Sequence, residues 1–468
     1  MKGRLTIQET GAENVRQLQG RRVSVLGAGR SGKEVARLLR LAGAQVLLSD
    51  VRSTAELTEA LRDLPDDVAL ETGGHSERVL DADLIVISPG ISLDIPVLQQ
   101  AQRLQIPIAG ELEVASWFTT APIIAITGSN GKTTTTALTG EIFRYQYADV
   151  IVGGNIGRPF SGELLKMPRP VFNILEVSSF QLETIHTFHP KAAVITNLSP
   201  NHLDRYSDFD AYARAKLNIL KNMTPDDLLL YNVDDAVLGT YLQDVRPARF
   251  PFSLKQELDQ GAFWQGQTIR IRWQELDESI PIESMRLRGP HNRYNLLVAA
   301  ALGMLFGVES RRVQQVAETF QGLPHRLEPV GELNGVVFVN DSKATTVQSL
   351  EFALQSFEEP IVLIAGGKDK GGDFHALVPL LRERVRAAIL IGQAAARIQE
   401  AWQGQVPVER AGSLEDAVLR AFQRAQPGDV VLLAPACSSF DMFRDYEERG
   451  DQFRELVQKL PHRVGATS

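Results

Sequence analysis

The apolar run Ile123–Ile126, followed by Thr127-Gly128-Ser129-Asn130-Gly131-Lys132-Thr133, has the residue types needed to cradle a polyphosphate. Glycines let the backbone approach the anion closely, N–H groups at a helix start point at it, and Lys132 adds a point charge. Thr133 offers a hydroxyl where a phosphate-bound Mg²⁺ takes its first protein oxygen. The spacing is shorter than a full P-loop, with Ile126 where the first glycine would fall. Gly27-Ala28-Gly29-Arg30-Ser31-Gly32 is a second cradle, and Asp50 closes the next strand at the distance of a dinucleotide fingerprint. Read alone, that turn suggests a nicotinamide oxidoreductase. Two cradles in one chain suit two phosphorylated ligands better.

Further chemistry sits at predicted strand ends. Glu176 stands where an acidic residue supports Mg²⁺ in nucleoside-triphosphate enzymes. His202 and Asp204 follow the next strand as a candidate metal or phosphate site, while His186 and His189, spaced like ligands but without a third, read as structural. Lys216 falls on an amphipathic helix and reads as an ordinary surface lysine. His325, Arg326, Asp341 and Lys343 open the third block, where Asp341 can take a ribose hydroxyl pair and the cations can meet a phosphoryl group. The Gly366–Gly372 and Ala434–Asp441 segments also follow strands, so these groups could line one cleft. Cys437, with no basic partner in its sequence neighbourhood, reads as a core thiol.

The elements that must position these groups alternate strand and helix, which implies an α/β fold with parallel sheets. The first block has strands at Arg22–Gly27, Ala44–Ser49 and Leu84–Ser88, with a helix at Ser31–Leu41. The second has strands at Ile123–Ile126, Val171–Glu176 and Ala192–Thr196, a small antiparallel insertion across Arg249–Arg288, and a helix at Asn295–Phe306. The third has strands at Val336–Val339, Ile361–Ile364, Ala387–Ile391 and Val430–Leu433, and ends in a polar helix over Phe443–Leu460. The domains expected are therefore 1–110, 111–322 and 323–468. A length of 468 residues is too great for one core.

Composition narrows the class. Apolar content of 44% and charged content of 23% suit a folded soluble chain. A net charge of −8 with interspersed signs argues against a nucleic-acid binder, which needs a basic stripe. One cysteine excludes a disulfide framework and suits a reducing cytoplasm. No signal peptide is expected, and the longest apolar run, Leu296–Val308, is too short to enter a membrane as a span.

Taken together, the motifs resemble the Mur ligase family of ATP-dependent peptide ligases. Those that carry the resemblance are Thr127–Thr133, Gly153–Gly157, Glu176–Glu183, Asn201–Tyr206, His291–Asn295, His325-Arg326, Asn340–Thr345, Ser438–Asp441 and Glu448-Arg449-Gly450, spread over the whole chain. The resemblance implies a Rossmann-like first domain, a P-loop-type ATPase centre and a Rossmann-like third domain. The expected activity is addition of D-glutamate to UDP-N-acetylmuramoyl-L-alanine through an acyl phosphate, in peptidoglycan precursor synthesis. It further implies that Gly29, Ser31, Arg52, Ser88 and Gly90 meet the uridine diphosphate, displacing the nicotinamide reading, and that Asn155, Ser178 and Gln181 meet the muramoyl-alanine part. Gly128, Ser129, Asn130, Gly131, Lys132, Thr133 and Thr134 would hold ATP, with Asn292, Asn295, Arg326 and Asp341. Two Mg²⁺ ions would lie on Thr133, Glu176, His202 and Lys216, the last as a carbamate, a role its sequence context does not suggest. Arg326 and Lys343 would stand near the transferred phosphate. Thr345, Lys370, Ser439 and Phe440 would form the D-glutamate pocket, with Tyr446, often phenylalanine in the family, stacking there. A cytoplasmic monomer acting on small molecules is expected. The rivals are a sibling adding another amino acid, a folate-polyglutamate ligase, the oxidoreductase, and a regulatory nucleotide-binding protein without chemistry.

Overall fold

The computed structural model describes residues 5–201, 205–287 and 289–464. Its backbone falls into two compact units, residues 1–283 with 294–316, and residues 284–293 with 317–468.

The first unit holds two sheets. One has five parallel strands in the order Ala69–Thr72, Gln45–Asp50, Arg22–Leu26, Leu84–Ile87 and Ile108–Gly110. The chain reverses direction across the sheet between Arg22–Leu26 and Leu84–Ile87, so the Gly27 turn and Ser88 emerge side by side at a topological switch point. The helix Arg30–Leu41 that leaves the turn buries Gly32, Val35, Ala36, Leu38 and Leu39, the three-and-four spacing of a single apolar stripe.

The other sheet has nine strands. Ile123–Thr127 lies between Phe172–Glu176 and Ala192–Ile195, all parallel, with Val150–Gly154 outside and Leu228–Asn232 on the far side. Every residue of Ile123–Thr127 and Phe172–Glu176 is buried, as parallel strands covered on both faces require. The insertion expected to be antiparallel begins differently. Ala248–Ser253 pairs parallel to Leu228–Asn232, Gly261–Gln265 continues parallel, and only Thr268–Trp273 and Leu276–Pro281 run antiparallel. It prolongs the central sheet because each connection before Gly261 crosses back to the same edge.

In the second unit, six strands run in the order Glu328–Leu333, Val336–Asn340, Val430–Leu433, Ile361–Gly366, Val385–Ile391 and Val408–Arg410. Leu363 and Leu432 face one apolar cluster, Ile364 and Val431 another, so alternate side chains fill both faces. Truncating Leu363 to alanine here costs roughly 2–5 kcal/mol, the range for a buried leucine whose cavity cannot fully collapse. The sequence reading lacked the antiparallel edge strand Glu328–Leu333, whose inner positions are only half-buried and leave no strong apolar signature.

Candidate active site

The loop after Ile123–Thr127 is held open by its neighbours. Gly131, at φ +81°, is the N-cap of the helix Lys132–Arg144, and a Cβ there would meet Asn295 Oδ1 at 2.7 Å. The Asn130 amide donates to Asn197 Oδ1 at 2.9 Å, and Thr196 Oγ1 donates to Asn130 O at 2.6 Å. Ser129 Oγ lies 3.1 Å from the Tyr212 hydroxyl and donates to Ser199 O at 3.0 Å. Lys132 Nζ folds back onto Gly128 O and Ser129 O at 2.9 and 3.0 Å, so its charge stands over the loop mouth. Thr133 is half-buried in the first turn and Thr134 buried behind it. Asn295 Oδ1 accepts from Thr135 Oγ1 at 3.0 Å, which seats it against the same helix start.

Glu176 ends the adjacent strand and is 2% exposed. Its Oε1 accepts from Asn155 Nδ2 at 2.7 Å, whereas Oε2 is buried and, among the described residues, has no hydrogen-bond partner. A bare carboxylate oxygen in the interior is costly unless a cation meets it. Lys216 corrects the surface reading of its helix: it is 2% exposed, with Nζ 4.7 Å from the centroid of the Tyr212 ring. Burial and then the charge of Lys132 hold its ammonium well below the ordinary lysine range, opposed by Glu176. Tyr212, four residues before Lys216 on the helix Phe209–Leu217, touches both the loop and this amine. The sequence reading passed over it, although the helical spacing of the pair was available. His202 lies outside the described residues. His186 and His189 place a ring nitrogen on Ile108 O and Asp227 Oδ2 at 2.7 and 2.6 Å, in keeping with structural roles. Among the described residues no three His, Cys, Asp or Glu side chains form a ready-made metal site.

At the first sheet, Gly32 packs so closely on Gly27 O that no side chain fits. Gly29 caps the helix that carries Ser31, and Ser88 Oγ donates to Gly27 O at 3.1 Å, with Gly90 two residues on. Asp50 accepts from Ala28 N at 2.6 Å and from Arg52 Nε and Nη2 at 3.0 and 2.8 Å. The Arg52 guanidinium, with these bonds, draws its carboxyl down to about 2. An aspartate so engaged is poorly placed to read a ribose, the task a nicotinamide site would give it. Ser178 and Gln181 form a capping box on the short helix Ser179–Leu182, with Gln181 N on Ser178 Oγ at 3.3 Å and Ser178 N on Gln181 Oε1 at 2.9 Å.

In the second unit, three strand-end loops are stitched together. Ala436 N donates to Ala344 O at 2.8 Å, and Lys368 N and Ser438 N exchange bonds with Ser438 O and Lys368 O at 2.8 and 3.0 Å. This gathers the segments that carry Lys343, Thr345, Lys370, Ser439 and Phe440. Ser439 is buried, Thr345 half-buried, Lys370 exposed, and Phe440 stands 68% exposed. Beneath them, the fully buried Arg449 donates to Ser342 Oγ and O at 2.9 and 2.8 Å and to Cys437 O at 3.4 Å. Its motif, Glu448-Arg449-Gly450, is visible in the sequence but carries no function there. Burial pushes the Cys437 thiol up to about 12, which fits a core residue rather than a nucleophile. Asp341 is enclosed; burial raises its carboxyl to about 7 against the pull of Arg326 and a bond from Leu327 N at 3.2 Å. Asn292 is buried at the start of the helix Pro290–Leu305. Beside it, burial lowers His291 to about 4.

Comparison with known proteins gives a consistent result. Three family models match: a MurD-like Mur ligase N-terminal domain over residues 21–110, the Mur ligase middle domain over 126–303, and the Mur ligase glutamate ligase domain over 325–437. The chain is 45% identical over 451 residues to the UDP-N-acetylmuramoylalanine–D-glutamate ligase of Salinibacter ruber, covering 94% of this chain and 98% of that one. It is 44% identical over 449 residues to the protein of the same name from Pelobacter propionicus, covering 95% and 100%. Among solved structures, a pseudomurein peptide ligase type C from Methanothermus fervidus aligns with a TM-score of 0.60 at 18% identity, covering 94% of this chain and all of that one. The UDP-N-acetylmuramate–alanine ligase of Thermotoga maritima aligns at 0.58 and 21% identity, covering 94% and 99%. At such identities these two speak for the fold.

Proposed function

Because the chain belongs to the Mur ligase family, we propose that it is an ATP-dependent ligase that joins D-glutamate to the carboxylate of UDP-N-acetylmuramoyl-L-alanine in peptidoglycan precursor synthesis. The observation that carries the reading is the charge arrangement at the central strand ends. Lys132 stands over its loop, Glu176 keeps a bare buried oxygen, and Lys216 is a buried amine that feels both. Relatives of this name, 44–45% identical over nearly the whole chain, support the choice of substrate.

The reaction begins when a carboxylate oxygen of the muramoyl-alanine attacks the γ-phosphorus of ATP and ADP leaves. The D-glutamate amine then attacks the acyl-phosphate carbonyl, loses a proton, and the tetrahedral intermediate expels inorganic phosphate to leave the amide. The first step brings two anions together, and two unit charges ~4 Å apart repel by about 4 kcal/mol at an effective dielectric near 20. Lys132, Arg326 and Lys343 would be the chain's own answer to that repulsion. The Gly128–Gly131 loop, with Thr133 and Thr134, would orient the triphosphate through backbone amides. Asn292 and Asn295 would read the adenine and Asp341 the ribose. Gly29, Ser31, Arg52, Ser88 and Gly90 would bind the uridine diphosphate, and Asn155, Ser178 and Gln181 the muramoyl-alanine. Thr345, Lys370, Ser439 and Phe440 would receive D-glutamate.

Mg²⁺ fits the orphaned Glu176 oxygen. Thr133 and Glu176 would hold one ion, His202 and a carbamate on Lys216 a second, and bound Mg²⁺ would supply Lewis-acid charge to the phosphate oxygens. A buried amine whose charged form is disfavoured is the form that adds carbon dioxide, and the resulting anion is a metal ligand where an ammonium would repel. Among the described residues no helix is long and apolar enough to cross a membrane. The need for ATP is what favours the cytoplasm as the place of reaction in this reading. The deciding experiment measures phosphate release with ATP, Mg²⁺, the uridine-linked substrate and a panel of amino acids. Stimulation by D-glutamate above all others is expected, and its absence would sink the assignment.

A further inference from the structure

Lys343 lies in the loop after Val336–Asn340, and its Nζ is 3.8 Å from the centroid of the Tyr446 ring. We propose that Tyr446 is a positioning residue, which holds the Lys343 ammonium over its ring face and so sets where that charge stands for phosphoryl transfer. The role of Lys343 in turnover rests on the ligase reading; the contact between cation and ring does not.

The distance is well inside the ~6 Å at which an ammonium is attracted by the negative face of an aromatic ring. Both partners are fixed close to the contact. Ser342, one residue before Lys343, donates from Oγ to the Tyr446 carbonyl at 2.8 Å. Arg449 Nε in turn donates to Ser342 Oγ at 2.9 Å, and Nη2 to Ser342 O at 2.8 Å. The ring meets His325 edge-on, with centroids 6.1 Å apart and planes at 81°. The hydroxyl donates to Glu447 Oε1 at 3.0 Å. Donation to a carboxylate leaves the phenol more electron-rich, which strengthens its hold on a cation in a way phenylalanine could not match. The ring face covered by the ammonium is unavailable to an amino-acid substrate, so stacking there would have to use the opposite face.

The test uses the full-length protein with phenylalanine and its mono-, di- and trifluorinated forms installed at position 446. Fluorine drains the ring face while barely changing its volume. The expected result is a stepwise fall in kcat, roughly three- to thirtyfold across the series, as the weakening of a cation–ring contact predicts. KM for D-glutamate and the melting temperature should stay level. A flat kcat, or an effect confined to KM for the amino acid, overturns the proposal. A second readout needs no turnover. The ε-methylene signal of Lys343, assigned by its loss in Lys343→Arg, should lie upfield from ring current and return to the ordinary lysine position in Tyr446→Leu. An ordinary position in the unsubstituted protein overturns the contact whatever the enzyme does. An upfield signal without D-glutamate-dependent phosphate release overturns only the ligase reading.

Discussion

Asn155 Nδ2 donates to Glu176 Oε1 at 2.7 Å, while the other carboxylate oxygen, Oε2, is buried and has no hydrogen-bond partner among the described residues. The backbone repeats the tie, with Asn155 N on Glu176 O at 2.9 Å. The asparagine therefore aims the carboxylate. Asn155→Ala should lose about 10–100-fold in Mg²⁺ affinity or turnover, the usual cost of removing a group that orients a ligand. Glu176→Gln should lose more, and Mg²⁺-ATP should raise the melting temperature of the unsubstituted protein but not of Glu176→Gln. Equal stabilisation of both by Mg²⁺-ATP would remove Glu176 from the metal site.

The buried amine of Lys216 makes a second expectation. Lys216→Ala should be inactive in phosphate release and partly restored by added formate or acetate, which can occupy the space of the carbamate. Lys216→Arg keeps a charge that cannot add carbon dioxide, and no rescue is expected for it. Full activity of Lys216→Ala without additives would refute the carbamate role.

Asp341 links pH to stability. Its carboxyl is raised to about 7 in the folded chain by burial, above its unfolded value of 3.8. A raised acid favours the folded state fully while both states are protonated, below about pH 4. That contribution is lost as pH climbs through the window from about 4 to 7, because the unfolded chain ionises first. The loss amounts to at most about 4 kcal/mol. Urea unfolding should therefore show stability falling across this window relative to Asp341→Asn, in which this slope disappears. Parallel curves for the two proteins would contradict the enclosed, protonated aspartate.

Arg449 should matter to the second unit out of proportion to its distance from any charge partner. Its acceptors among the described residues are the neutral oxygens of Ser342 and Cys437, and burial draws its guanidinium down to about 10. Arg449→Lys cannot span Ser342 and Cys437 with one planar fork, and should destabilise the protein by about 2–4 kcal/mol, since bonds to charged groups are worth about 1.5–3 kcal/mol each. A chemical-denaturation midpoint within error of the unsubstituted protein would show that the stitching of these loops does not depend on it.

What the sequence by itself determined is whatever short-range order encodes. An apolar run, a glycine turn and Lys132-Thr133 in succession mark out a strand, a turn and a helix start with the makings of a phosphate loop, since these are neighbours along the chain. The same holds for the Gly27 turn and for Glu176 at a strand end, and alternating elements made the α/β class legible. The tertiary structure decided the rest. Lys216 looks like a surface lysine until the packing of its helix buries it. Asp50 looks like a ribose reader until Arg52 and the Ala28 amide occupy it. The two oxygens of Glu176 differ because Asn155, just past the end of Val150–Gly154, takes one and no described residue takes the other. Tyr446 meets Lys343 only because the last helix returns to the end of Val336–Asn340. Desolvation and pairing depend on which remote segments fold against a residue, and periodicity along the chain carries no record of that.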